Sequence, residues 1–181
     1  MESGEIGYIH YGDIHTKWSN FLDCSKNYIP YIKKEKVKDI PFLENGDLVI
    51  ADASEDYEGI GVCVEIKNIG ERNVVAGLHT LLLRGNKSRV ADGFKGYFRE
   101  IEGVKDALIR IATGISVYGI SKNNLKNVKV KIPPIKEQTA IAQILSDMDA
   151  EIEALEKKLT KYKMIKQGMM QNLLTGKIRL V

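Results

Sequence analysis

The chain has 181 residues, enough for one domain and an appendage, with 44% hydrophobic and 28% charged residues. This composition is typical of a soluble globular protein, and no apolar run approaches the roughly 18 residues that a membrane-spanning helix needs. The net charge of +3 excludes little by itself. An acidic N-terminus, unlike a signal peptide, and two widely separated cysteines, Cys24 and Cys63, predict a cytoplasmic protein with reduced thiols.

Residues 1–132 are predicted to form an α+β globular domain with a mostly antiparallel sheet. Short β-rich runs bounded by turn residues predict strands at 8–10, 47–53, 59–66, 73–84 and 128–132. Between residues 92 and 113 the apolar residues follow helical spacing, and Gly103 is expected to separate two helices. The Pro133-Pro134 pair ends this domain, because proline cannot continue a strand ladder but is tolerated at a helix start.

Residues 133–181 are predicted to form a second region, dominated by one long helix over 137–174. Ten positions in this helix alternate in spacing between four and three, which is the heptad seam of a coiled coil. Nine are apolar and the tenth is Lys166; the nine are Ile141, Leu145, Met148, Ile152, Leu155, Leu159, Tyr162, Met169 and Leu173. The 38 residues would span about 57 Å, which is too long to bury against so small a domain.

This seam requires a partner helix, since each of its apolar side chains gains about 1.5–3 kcal/mol on full burial. Residues 137–156 carry six acids and no base, whereas residues 157–179 carry seven bases and no acid. Two antiparallel copies would set the acidic half against the basic half, and parallel copies would bring like charges together. An antiparallel partner of similar sequence is therefore expected; the alternative is a helix folded onto its own domain.

Motifs for cofactors, nucleotides and metals are not found in the sequence. There is no GxGxxG, Gly176-Lys177 is not followed by the Ser or Thr of a phosphate loop, and the three histidines lack metal-ligand spacing. No cofactor and no metal is therefore expected. One enzymatic alternative is that Asp52, Glu65 and Lys67 form a Mg²⁺-dependent nuclease site, with two carboxylates on the metal and a lysine beside the attacking water.

Two lysine clusters favour DNA binding instead. Residues 121–136 contain five lysines and no acid, and residues 26–38 contain five lysines and one acid. Lysines neutralise phosphates, while Asn, Ser, Tyr and Arg can read base edges. The residues predicted to contact DNA are Lys17, Trp18, Arg84, Lys87, Arg89, Ser116, Tyr118, Lys122 and Asn123. The alternative for each is ordinary surface, or partial core packing for Trp18 and Tyr118.

Several segments carry a family resemblance. Residues 132–138 (IPPIKEQ), 141–145 (IAQIL) and 166–179 (KQGMMQNLLTGKIR) resemble the conserved helical region of specificity subunits of type I restriction-modification systems. Upstream, residues 11–14 (YGDI), 46–50 (GDLVI), 77–80 (GLHT) and 114–117 (GISV) resemble the target-recognition domain of the same family.

The resemblance implies a non-catalytic subunit that reads one half of a bipartite target in double-stranded DNA. The long helix would pair antiparallel with an equivalent helix, from a second copy or from the second half of the same subunit, and would help dock adenine methyltransferase subunits. DNA cleavage and ATP-driven translocation would belong to restriction subunits. A purely structural coiled-coil assembly protein is a further alternative.

Members of this family usually carry two recognition domains and two helices, whereas this sequence has one of each and no internal repeat. The chain is therefore expected to be either a half-length subunit that dimerises or the C-terminal part of a longer one. Further residues of the recognition domain are expected to precede Tyr8.

Overall fold

A computed structural model describes residues 6–181 of the chain. Over this range it contains nine β-strands, four α-helices and two short 3₁₀ segments. The strands are β1 (Ile6–Ile9), β2 (Asn20–Asp23), β3 (Tyr31–Ile32), β4 (Leu48–Ala51), β5 (Ala53–Ser54), β6 (Cys63–Lys67), β7 (Val74–Ala76), β8 (Thr80–Leu83) and β9 (Tyr118–Gly119). The helices are α1 (Tyr11–Thr16), α2 (Val104–Ile111), α3 (Lys122–Leu125) and α4 (Ile135–Leu174), and the 3₁₀ segments are Lys34–Lys36 and Lys95–Glu100.

The strands of the described residues form three sheets, with strand orders β3-β1-β7, β2-β6-β4-β8 and β5-β9. Four of the six strand pairs are antiparallel, and the pairs β1–β7 and β2–β6 are parallel. The predicted α+β class with a mostly antiparallel sheet is therefore confirmed. Strand β8 lies at one edge of the four-stranded sheet and β2 lies at the other.

Strand β4 is buried along its whole length because it lies between β6 and β8 and packs on both faces. Successive side chains of a strand point to opposite faces. Val49 and Ala51 accordingly belong to one apolar cluster, and Leu48 and Ile50 belong to a second one. Full burial of each large aliphatic side chain stabilises the fold by about 1.5–3 kcal/mol. Residues at the two ends of β4 are thus held at a fixed separation.

The predicted strands are present at shifted or divided positions. The single strand predicted over 73–84 is two strands, β7 and β8, because the turn between them holds His79 in the left-handed region at φ 54°. The strand predicted over 47–53 is likewise divided into β4 and β5, and the one predicted over 59–66 starts only at Cys63.

The strand predicted at 128–132 is not formed. Val128 and Val130 pack against the apolar cluster around Leu108, but they pair with no strand of the described residues. The last strand is instead β9, which pairs with β5. The alternating apolar residues of 128–132 indicate only that one face of this segment is buried. A strand also needs the unpaired edge of another strand to hydrogen-bond with, and the local sequence does not show whether such an edge is near.

The prediction that Gly103 divides the helical region between residues 92 and 113 into two helical segments is confirmed. Gly103 adopts φ 76° and separates the 3₁₀ segment Lys95–Glu100 from α2. This left-handed conformation costs glycine little and is unfavourable for residues with a Cβ. The first of the two predicted helices is therefore a 3₁₀ segment and the second is α-helical.

Helix α4 begins directly after Pro133-Pro134 and continues for 40 residues to Leu174, about 60 Å at 1.5 Å per residue. The predicted long helix over 137–174 is therefore confirmed, with two more residues at its start. The chain divides into two compact units inside this helix, between Ala140 and Ile141. None of the described helices combines the length and the apolar character needed to cross a membrane.

The first turn of α4 is fastened to the first unit by Gln138, whose side chain is only 1% exposed. Its amide oxygen accepts a hydrogen bond from the Ala91 backbone nitrogen at 2.9 Å. Its amide nitrogen donates to the Arg89 and Pro133 carbonyl oxygens at 3.0 and 2.8 Å. A buried amide satisfied in this way fixes the loop that contains Arg89 against the helix start.

Candidate nucleic-acid interface

Seven of the nine residues predicted to contact DNA lie near the two ends of β4. Asp47 directly precedes this strand and Asp52 directly follows it. Asp47 and Asp52 are five residues apart, so the two ends are separated by about 17 Å at 3.3 Å per residue. The group near Asp47 consists of Arg84, Lys87 and Arg89, and the group near Asp52 consists of Ser116, Tyr118, Lys122 and Asn123.

Arg84 is tied to the fold through its guanidinium group. It donates hydrogen bonds to both carboxylate oxygens of Asp47, at 2.9 and 2.7 Å, and lies 2.8 Å from a carboxylate oxygen of Glu44. It also donates to the Phe42 carbonyl oxygen at 2.8 Å. The Asp47 side chain is 3% exposed, so the arginine offsets the burial of its charge. In this arrangement Arg84 holds the turn before β4, and four of its five N–H donors are already used.

Lys87 and Arg89 differ in how far their charge is compensated. The Lys87 ammonium lies 3.4 Å from the Asp92 carboxylate. The exposed Arg89 side chain forms no ion pair with another described residue. Arg89 is thus the cation of this group that is available to a ligand.

Trp18 lies in the core and not at the surface. Its side chain is 8% exposed and belongs to the apolar cluster that contains Ile14 and Leu22. A buried indole cannot contact a base, so the structure corrects the prediction for this residue to a packing role. The neighbouring Lys17 is exposed, but its ammonium lies 2.5 Å from the Asp13 carboxylate.

The group near Asp52 is brought together by the pairing of β9 with β5. Ser54 lies opposite Tyr118, and the Ile120 backbone nitrogen donates to the Asp52 carbonyl oxygen at 2.7 Å, just before α3 begins. The ring of Tyr118 lies 4.2 Å from that of Tyr57, and the hydrogen bond that the Tyr118 hydroxyl donates to Tyr57 raises the pKa of Tyr118. The side chains of the group that remain exposed are Ser116, Lys122 and Asn123.

A groove of about 430 Å³ lies between α3 and the edge strand β8. One wall is formed by Ile40 and Pro41 and the other by Lys122, Leu125 and Lys126. The residues of β8 form the floor. Lys122 and Lys126 of the second lysine cluster line the groove, and the first cluster ends at Lys38, two residues before Ile40.

The two groove lysines, Lys122 and Lys126, carry uncompensated charge, as do Lys33, Lys34, Lys36 and Lys38 of the segment that precedes Ile40. None of these six lysines forms an ion pair with another residue in the described part of the chain. Glu35 is the one acid of segment 33–38, so the net charge of this segment is positive. A surface of this kind attracts a polyanion.

The groove residues outside the predicted set are chiefly Ile40, Pro41 and Lys126. The lysine-rich run that holds Lys126 is visible in the sequence. Lys126 and Ile40 line the same groove although they are more than eighty positions apart, and no local pattern signals such proximity. The lysines near each wall could therefore be predicted from the sequence, but the fact that the two walls form one groove could not.

The structure separates the residues of the nuclease alternative. Glu65 lies opposite Leu48 in the pairing of β4 with β6. Asp52 is four residues beyond Leu48, so the backbone positions of Asp52 and Glu65 are about 13 Å apart along the strand at 3.3 Å per residue. Lys67 lies over the ring of Phe21, with its ammonium 3.3 Å from the ring centre. The three side chains therefore do not share a metal site.

Glu65 instead clamps the start of the 3₁₀ segment Lys95–Glu100. Its carboxylate is 1% exposed and accepts hydrogen bonds from the backbone nitrogens of Gly93, at 2.6 Å, and Gly96, at 2.8 Å. Burial raises the pKa of Glu65, although these bonds and nearby Lys95 oppose the shift. Within the described residues no three or more His, Cys, Asp or Glu side chains are grouped to hold a metal ion.

The predicted seam of α4 is exposed in the second unit. Six of its apolar residues are between 45 and 58% exposed: Met148, Ile152, Leu155, Leu159, Tyr162 and Met169. The remaining three, Ile141, Leu145 and Leu173, are partly buried. A long exposed apolar stripe of this kind is typical of a protein interaction surface. The pairing itself stays a prediction.

Comparison with known proteins gives one consistent result. Residues 2–163 match the family described as type I restriction modification DNA specificity domain. The chain is 30% identical over 165 residues to a putative type I restriction enzyme MjaX specificity subunit of Methanocaldococcus jannaschii, which covers 90% of this chain and 38% of that protein.

Two further similarities agree with this match. The chain is 23% identical over 159 residues to the type I restriction enzyme EcoKI specificity subunit of Escherichia coli, covering 88% of this chain and 31% of that protein. The crystal structure of a type I restriction-modification system S subunit from M. genitalium has the same fold, with a TM-score of 0.53 at 13% identity over 95% of this chain and 39% of that one. The chain thus spans between about 30 and 40% of the length of these proteins.

Proposed function

Because the chain belongs to the family of type I restriction modification DNA specificity domains, we propose that it is a non-catalytic DNA-recognition module of a type I restriction-modification enzyme. Residues 1–132 would read one half of a bipartite target in double-stranded DNA, and residues 133–181 would hold that reader at a set distance from a second one. Catalysis would belong to partner subunits, an adenine methyltransferase and a restriction subunit.

The observation that carries DNA binding is a groove lined by Lys122 and Lys126, with Ile40, two residues after the lysine-rich segment 33–38, on its other wall. Ammonium groups without an ion-pair partner release counterions when they approach phosphates, and this release supplies most of the sequence-independent affinity for DNA. The exposed polar side chains of Ser116 and Asn123 lie in the same part of the chain and are suited to base edges.

The seam of α4 supports the second half of the proposal. Its exposed apolar residues need a partner, and its acidic and basic halves favour an antiparallel one of similar sequence. Further apolar side chains outside the seam are also exposed; these are Ile144, Met164, Ile165 and Met170. Apolar surface on more than one side of the helix is suited to docking of methyltransferase subunits beside the paired helix.

The groove gives a direct test of DNA binding. In Lys126→Glu a positive charge of the groove becomes negative, so we expect weaker binding to a short random-sequence duplex. We also expect the slope of log affinity against log salt to fall by about 0.9 for each phosphate that the variant no longer neutralises. Fluorescence anisotropy over a salt series measures both quantities.

The matched control is Lys26→Glu, which makes the same change in charge. Lys26 is the first residue of the lysine cluster 26–38, but it lies after β2, the edge strand opposite to β8, is exposed, and does not line the groove. The Lys26→Glu variant should bind DNA with the affinity and salt dependence of the unchanged protein. Equal effects of the two substitutions would argue against the groove, and an affinity of the unchanged protein that is indifferent to salt would argue against DNA binding altogether.

A further inference from the structure

Residues 113–119 form a closed hairpin at the base of which Thr113 and Gly119 exchange two backbone hydrogen bonds, at 3.0 and 2.7 Å. Its second strand is β9, which is anchored in turn on β5. Gly114 adopts φ 140°, and a Cβ there would lie 1.9 Å from the Val117 carbonyl oxygen. Only glycine fits this position, so the tip is closed tightly.

The tip of this hairpin is apolar and fully presented to solvent. Ile115 is 95% exposed and Val117 is 54% exposed. A single exposed aliphatic side chain is common on protein surfaces, so exposure alone does not mark a site. Here, however, the Ile115 side chain lies at the end of a hairpin that is closed by two backbone hydrogen bonds and cannot fold back to bury it. Full burial of an isoleucine side chain would gain about 1.5–3 kcal/mol.

The hairpin is set beside the positive surface described above. The side chain of Asn124, in α3, donates to the Ile111 carbonyl oxygen at 3.3 Å, so α3 is bound to the segment that leads into the hairpin. Lys122 follows β9 by three residues, and residues 121–136 carry five lysines and no acid. The second strand of the hairpin thus leads directly into α3, where Lys122 and Lys126 line the groove.

Two acids near Tyr57, which packs on the hairpin residue Tyr118, are already used by the fold. The Asp56 carboxylate accepts a hydrogen bond from the Gly59 backbone nitrogen at 2.6 Å. The Glu58 carboxylate lies 2.5 Å from the Lys105 ammonium, which holds the pKa of Glu58 below its ordinary value. The Lys105 ammonium thus partly offsets the charge of Glu58.

We propose that Ile115 is an apolar wedge that inserts between stacked base pairs of the target while the neighbouring lysines hold the flanking phosphates. This inference rests on the proposed function. Unstacking one base step costs a few kcal/mol, and it is offset by burial of the aliphatic side chain and by the additional protein surface that the distorted duplex contacts. A rigid hairpin is suited to this role, because it keeps its conformation while the two stacked base pairs are being separated.

The test uses the full chain with its methyltransferase partner and a duplex selected by that complex from a random-sequence pool. 2-Aminopurine is placed at successive positions of the selected duplex, since its fluorescence rises when the base is unstacked. We expect a rise at one step with the unchanged protein, its loss in Ile115→Ala, and about tenfold weaker binding of the selected duplex by this variant. Ile115→Leu should retain both properties.

Because the Ile115 side chain is almost free of protein contacts, Ile115→Ala should fold normally, and its unfolding temperature checks this. Leu78→Ala is the matched control: it removes an aliphatic side chain that is 55% exposed in the same unit but outside the hairpin, and should change neither signal.

The outcomes separate this inference from the proposed function. A complex that selects no duplex contradicts both. A complex that selects and binds a duplex without any rise in 2-aminopurine fluorescence contradicts the wedge alone. The wedge alone is also contradicted if the Ile115→Ala variant keeps the fluorescence rise. A variant that binds the methyltransferase more weakly but binds the DNA as the unchanged protein does would contradict it as well.

Discussion

Arg84 and Lys87 show how the surroundings of a side chain decide its role. Both are cations in the loop after β8, and by residue type both are equally good candidates for DNA contact. Arg84 faces the buried carboxylate of Asp47, whereas Lys87 faces Asp92, whose side chain is 47% exposed. Removal of a cation from a buried carboxylate leaves a costly unpaired charge, and loss of an exposed ion pair costs little.

The variant Arg84→Met should therefore lower the free energy of unfolding by about 1–3 kcal/mol, and the control Lys87→Met by no more than about 1 kcal/mol. Urea denaturation followed by circular dichroism measures both. Equal stability losses in the two variants would show that Asp47 does not depend on Arg84.

At the scale of elements, α4 is specified by its own sequence. The proline pair sets its start, strong helix formers fill it, and Gly176 at φ 72° follows its end. The boundaries of the strands are less well specified, because strands of two to five residues carry too few positions for a period to be recognised. The strand expected at 128–132 illustrates this, since its apolar residues pack without pairing.

The pairing of α4 is tested by Leu155→Asp, which places a charge in the middle of the seam. The loss of a buried leucine and the burial of a carboxylate in each copy should weaken self-association by at least about tenfold. Sedimentation equilibrium measures this effect. Ala150→Asp is the control, because it adds the same charge on the opposite side of the helix; if both variants associate like the unchanged chain, the seam assignment is wrong.

At the scale of the whole molecule, the proposed pairing of two copies of this chain has a consequence for the DNA target. Two identical readers related by a two-fold axis would read the same half-site on opposite strands, so we expect the preferred target of such a pair to be a palindrome divided by a spacer. The spacer length would follow from the length of the paired helices, and not from the residues that contact bases.

This arrangement is tested by expressing the chain with a cognate methyltransferase and mapping the methylated adenines. We expect methylation at two inverted half-sites with a constant spacer, because a fixed rod holds the readers apart. Methylation at a single half-site, or at half-sites with variable spacing, would contradict a paired-helix spacer. A variant with one heptad removed from α4 in both copies should shorten the spacer without changing the half-site sequence.

The sequence by itself determined the features that depend on local chemistry. Heptad spacing, the proline pair and the segregation of acids from bases specify the long helix and predict its partner, and the segments shared with a known family identify what the chain belongs to. The α+β class and the break at Gly103 also follow from residue type and short-range periodicity.

Only the tertiary structure decided which charged and aromatic residues are available. Burial of Trp18, the use of Arg84 to hold Asp47, the separation of Asp52 from Glu65, and the meeting of Ile40 with α3 all arise from contacts between distant parts of the chain. The physical reason is that a side chain's free energy depends on the neighbours that the fold brings to it, and sequence spacing specifies neighbours only within a helix turn or along a strand.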